Sequence, residues 1–80
     1  MLKVQTSEYI TKDLSLAAAL KAHQQELIRT EKVNNVFWFI FADKKTCERL
    51  AHEYFYGDLQ VNSRRYQQEI RQLKNIIFTQ

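Results

Sequence analysis

The candidates in this chain for a thiol–imidazole catalytic pair are Cys47, His23 and His52. A Cys–His dyad needs the thiol beside an imidazole in an electropositive, partly exposed setting. Cys47 instead falls on an apolar stripe with Leu50, Ala51, Tyr54 and Phe55, which makes it a small core residue. His52 stands one residue round from that stripe and faces away from the thiol. His23 falls near the end of the first predicted helix, where a cation is favourable in any case. HExxH, CxxC, GxSxG and glycine-rich phosphate loops are all missing. Two His and one Cys, widely spaced, match no zinc pattern. With one glycine and no proline, a tightly shaped catalytic loop is hard to build. The expectation is a binding module and not an enzyme, with no catalytic residues, no metal or other cofactor and no evident small-molecule substrate.

The remaining chemistry is electrostatic. Residues 61–80 hold Arg64, Arg65, Arg71 and Lys74 against a single acid, Glu69, which accounts for the whole formal net charge of +3. Arg64, Arg71 and Lys74 stand at i, i+7 and i+10, so on a helix they lie near one another. Gln67, Gln68 and Asn75 interleave among them. Arg and Lys engage phosphate, while Gln and Asn can read base edges. Any solvated amphipathic helix carries some face of this kind, and the reading is set against that ordinary origin. The predicted nucleic-acid interface is Arg64, Arg65, Gln67, Gln68, Arg71, Lys74 and Asn75.

These residues need a scaffold, and the chain is organised around Val36–Phe41, six apolar residues in a row. The preceding Leu27–Val33 is more charged, and Asn34-Asn35 between them tolerates the positive φ of a tight hairpin. The two arms are therefore antiparallel partners, a charged edge strand beside an apolar central one. Tyr9-Ile10-Thr11 reads as a short strand, and residues 1–8 either fray or lead into it as a strand. A first helix is predicted from Asp13 or Leu14 to about Gln24, with Asp13 or Thr11 as its cap. Its Ala17-Ala18-Ala19 run favours helix and lets it lie close to a sheet. A second helix opens at Asp43 and closes at Gly57, a left-handed C′ position. A third, capped by Asn62 or Ser63, reaches about Ile77 with Tyr66, Ile70, Leu73 and Ile77 as its inner stripe. The order β-α-β-β-α-α implies an α+β fold, a small antiparallel sheet with three helices.

The order strand, helix, turn, helix is similar to that of ribbon-helix-helix repressors. A groove-reading strand needs alternate polar side chains, however, and Val36–Phe41 has none. Its alternation sends Phe37, Phe39 and Phe41 to one face and Val36, Trp38 and Ile40 to the other. If helices cover both faces, the strand is scaffold. If all three helices pack on one side, Trp38 and Ile40 form an apolar patch for a homodimer or protein partner, the alternative reading of function.

At 80 residues the chain is one domain, 1–80, near the lower size limit for independent folding. A single cysteine excludes an internal disulfide. The N-terminus lacks an apolar signal segment, and no apolar run approaches a membrane span. The expected location is cytoplasmic, with no membrane partner.

Four stretches together resemble a family of short bacterial and phage proteins known as a domain of unknown function. They are residues 11–20; residues 37–41 followed by Ala42-Asp43; Tyr54-Phe55-Tyr56-Gly57; and residues 66–78 with Leu73-Lys74-Asn75. The resemblance implies a compact stand-alone module, carried by a mobile element, and brings no catalytic residues. The chain departs from it after the first helix, where His23-Gln24-Gln25 stands in place of an expected glycine and leaves the tightness of that turn open.

Overall fold

Strand β3 (Val36–Phe41) forms the middle of a three-stranded sheet. In the computed structural model of the protein, which describes residues 3–79, β1 (Tyr9–Thr11) and β2 (Leu27–Val33) flank it, both antiparallel. With α1 (Leu14–Ala22), α2 (Lys44–Phe55) and α3 (Ser63–Phe78), the order is β1-α1-β2-β3-α2-α3, the α+β arrangement expected from the sequence. Asn34 and Asn35 take φ of 52° and 66°, so both central residues of the hairpin are left-handed and Val33 pairs with Val36. A bulge between Leu27 and Arg29 ejects Ile28 from the register. Leu27 and Arg29 then stand opposite Phe41 and Ile40, so the Leu27 side chain joins the core while Arg29 stays on the far face.

All three helices bring their buried side chains to the Phe39/Phe41 face, where Leu16, Leu20, Cys47, Leu50 and Leu73 close the core. Helix α1 is the innermost. Residues 16–20 are buried without a break, because the sheet, α2 and α3 surround it and its alanines let them approach. The far face is not left bare. Ile40 has no accessible surface. Arg29, its neighbour there, donates from Nη2 to the carbonyl of Lys3 (2.6 Å) and from Nε to Glu31 Oε2 (2.7 Å), and pairs with Glu8 at 3.4 Å. These bonds hold the N-terminal segment, whose Gln5 and Glu8 also exchange two hydrogen bonds of 3.0 Å. The described part of that segment, residues 3–8, contains no strand; it is a turn tied down by a side chain.

Each helix starts on a carboxylate or amide. Asp13 accepts from the amide of Leu16, Asp43 from that of Thr46, and Asn62 from that of Arg65. Thr11 supports the first cap by accepting from the amide of Asp13. Helix α1 stops at Ala22, two residues before its expected end. The amide of Gln25 donates to the carbonyl of Leu20, and that of Gln24 to Lys21. This is the Schellman closure, and it forces Gln24 to φ 64°. Helix α2 closes in the same way, with Asp58 bonding Glu53 and Gly57 at φ 80°. The turn after α1 is thus as tight as one with glycine, but Gln24 bears the steric cost of its Cβ. Gln24 is exposed, so Gln24→Gly should stabilise the fold by about 0.5–1 kcal/mol. Thermal unfolding should show a rise in Tm of about 4 °C; an unchanged or lower Tm would contradict this account of the turn. Among the described residues, no helix is long and apolar enough to cross a membrane.

Candidate nucleic-acid interface

Helix α3 divides into two faces. Leu73 and Glu69 are buried, and Tyr66, Ile70, Ile76 and Ile77 pack on the core beside them. Arg64, Gln67, Gln68, Arg71, Lys74 and Asn75 are all exposed. At 100° per residue, positions seven apart drift by only about 20°, so Arg64 and Arg71 form a row along the axis. Gln67, Gln68 and Asn75 lie on either side of it, and Lys74 sits at the margin. Ser63, Arg64, Gln67, Gln68 and Arg71 line a shallow depression. Among the described residues, Arg64, Arg71 and Lys74 have no acidic partner. Six of the seven predicted interface residues therefore share one open face, three of them with uncompensated charge.

Arg65, the seventh, is also exposed, and its Nε donates to Glu69 Oε2 at 3.1 Å. Glu69 is 6% exposed. Its Oε1 lies 3.1 Å from Lys21 Nζ. Burial opposes ionisation of Glu69, but Lys21 and Arg65 outweigh it and hold the pKa below the ordinary value. The single acid of the C-terminal quarter therefore fastens α3 to α1 and cancels nothing on the outer face. His23 adds a second tie, its Nε2 donating to the carbonyl of Gln60 at 2.7 Å.

The alternative interface fares differently. Ile40, predicted to face a partner, is wholly buried. Its cross-strand partners are Ile10 and Arg29, and the bonds Arg29 makes to Lys3 and Glu8 are announced by no periodicity. Trp38 is half-buried, with the Lys12 ammonium 5.8 Å from its ring centroid. Val36 remains exposed at 37%. Trp38 and Ile40 do not form the continuous apolar patch expected of them.

Cys47 is buried and free, as its place on the stripe implied. Burial, then the nearby Asp43, pushes its thiol up to about 11, so it is a protonated core residue. His52 stacks on Tyr56 with ring centroids 4.4 Å apart. Among the described residues, no cluster of three His, Cys, Asp or Glu side chains could hold a metal ion.

One feature escaped the sequence reading. Tyr54, Leu59, Val61, Ser63, Tyr66 and Gln67 line a cleft of about 350 Å³ that shares Ser63 and Gln67 with the basic depression. The Tyr66 hydroxyl donates to the carbonyl of Ser15 at 3.4 Å. Burial, and then the Tyr66 hydroxyl, raise the pKa of Tyr54. The available signal was Leu59 and Val61, apolar residues in the link between α2 and α3, flanked by two tyrosines whose partners depend on tertiary packing.

Fold and surface together define a small α+β module with a basic outer helix. The chain belongs to DUF5659, a domain of unknown function, whose sequence profile matches residues 6–79. That span takes in every strand and helix described above. No curated protein and no solved structure matches the chain.

Proposed function

We propose that the protein is a non-catalytic accessory module of the cytoplasm that binds nucleic acid through α3. Arg64, Arg71 and Lys74 contact phosphates, and Gln67, Gln68 and Asn75 lie alongside for sugar or base edges. The observation that carries this reading is the set of three exposed cations on one helix face that have no acidic partner among the described residues. On α2, by contrast, Arg49 pairs with Glu53 at i, i+4. Cys47, the one thiol, is shut into the core, which supports a role without covalent chemistry. The competing role, partner docking through Trp38, has lost Ile40 to the interior.

A salt titration of DNA and RNA binding tests the proposal. Three phosphate contacts predict log K falling against log salt with a slope of about −2 on single strands and about −3 on duplex. Roughly a fourfold rise in salt then weakens single-strand binding by about twentyfold. Affinity that ignores salt, or no binding at low salt, would remove α3 from this role.

A further inference from the structure

The basic row on α3 does not end at Lys74. Phe78 stands seven residues beyond Arg71, so Arg64, Arg71 and Phe78 lie along one line of the helix. Phe78 is 81% exposed, an aromatic ring standing in solvent at the end of a row of cations that have no ion pair among the described residues. At the other end, the cleft between Tyr54 and Tyr66 opens beside Arg64, because Ser63 and Gln67 line both hollows. From Arg64 to Phe78 the helix rises about 21 Å. The face thus offers an aromatic surface at each end and positive charge between them.

That arrangement selects among nucleic acids. In a duplex the base faces are occupied by their neighbours in the stack, and only edges and phosphates are open to a helix. A ring such as Phe78 and a tyrosine-walled cleft can engage base faces only when the bases are unstacked. The cleft volume, about 350 Å³, lies at the small end of ligand pockets and suits one planar ring with its polar edge toward Ser63 and Gln67. We infer that the outer face of α3 is a single-strand binding site, with one base stacked on Phe78, another seated between Tyr54 and Tyr66, and the intervening phosphates on Arg64 and Arg71. This rests on the nucleic-acid reading above and narrows it to one ligand class. The contacts use base faces and phosphates, which DNA and RNA share, so oligothymidylate and oligouridylate should bind alike.

Fluorescence anisotropy with labelled oligothymidylate, labelled oligouridylate and a duplex of the same length tests the inference. The single strands should bind about tenfold more tightly than the duplex. Phe78→Ala, which removes a solvent-exposed ring, should leave the fold intact. It should weaken single-strand binding about tenfold with little effect on duplex. The ring resonances of Tyr54 and Tyr66 should shift on adding oligothymidylate. Duplex binding as tight as single-strand binding, unaltered affinity in Phe78→Ala, or unmoved tyrosine resonances would overturn the single-strand site. If duplex binding still weakens in Arg71→Glu in any of those cases, the broader nucleic-acid reading stands. If neither strands nor duplex bind, both fall.

Discussion

Reversing Arg71 and Lys74 to Glu should lower nucleic-acid affinity about a hundredfold at moderate salt. Two of the three cations on the outer face of α3 become anions, so each position loses an attraction and gains a repulsion. The salt slope should flatten by about two. Stability should change little, within about 0.5 kcal/mol, because both side chains are exposed and neither has an ion-pair partner among the described residues. The informative control is Lys44→Glu with Lys45→Glu at the start of α2. It changes net charge by the same amount on a different surface. Screening confines charge effects to about 10 Å at ordinary salt, so this control should keep affinity within a few-fold of the parent. Equal losses in the two double variants would mean that only overall charge matters, and no loss in the α3 variant would exclude the helix.

The largest effect on stability is expected at Glu69. Glu69→Ala should destabilise the fold by about 2 kcal/mol and lower Tm by about 10 °C. The carboxylate is nearly buried, and it joins Arg65 on its own helix to Lys21 on α1. The cost stays below that of a deeply buried pair because Lys21 and Arg65 can both reach water once the acid is gone. Acid should act on the same bond. The folded pKa of Glu69 lies below its unfolded value, so its stabilisation is complete above the unfolded carboxyl pKa of about 4.3. It is lost as pH falls through the folded value. Denaturant unfolding in Glu69→Gln should therefore show a shallower loss of stability below about pH 4.3 than in the parent. A parent and variant with the same acid limb, or Tm values within about 2 °C, would show that the tie contributes nothing.

What the sequence disclosed follows the range of the interactions involved. The bounds of β2 and β3, the Asn34-Asn35 turn, the caps at Asp13, Asp43 and Asn62, and the stop at Gly57 all depend on residues a few positions apart. Hydrophobic period and turn chemistry report such contacts directly. The errors lie where a side chain crosses the fold. Arg29, beside the buried Ile40, bonds Lys3 and Glu8, 26 and 21 residues away; nothing local distinguishes it from an ordinary edge-strand charge. Glu69 shows a half-legible case. It stands four residues before Leu73 and four after Arg65, a charge inside the apolar stripe, which signals burial with a partner. The partner, Lys21, lies on another helix and could not be named. Six members of the predicted interface share their face because helix period fixes that outcome, and Arg65, though exposed, pairs with the same acid. The tyrosine cleft was out of reach, since its walls come from two helices and the link between them.

The position of α1 bears on how the protein is made. Its apolar residues 16–20 are enclosed on several sides, and part of that enclosure is α3, which brings Leu73 into the same core. A ribosome delivers α1 more than fifty residues before Leu73. During that interval the nascent chain holds a run of leucine and alanine that no available neighbour can fully cover. Unlike a protein whose early segments settle as they emerge, this one must wait for α3, so the step that completes its interior is also the step that sets its basic surface in place.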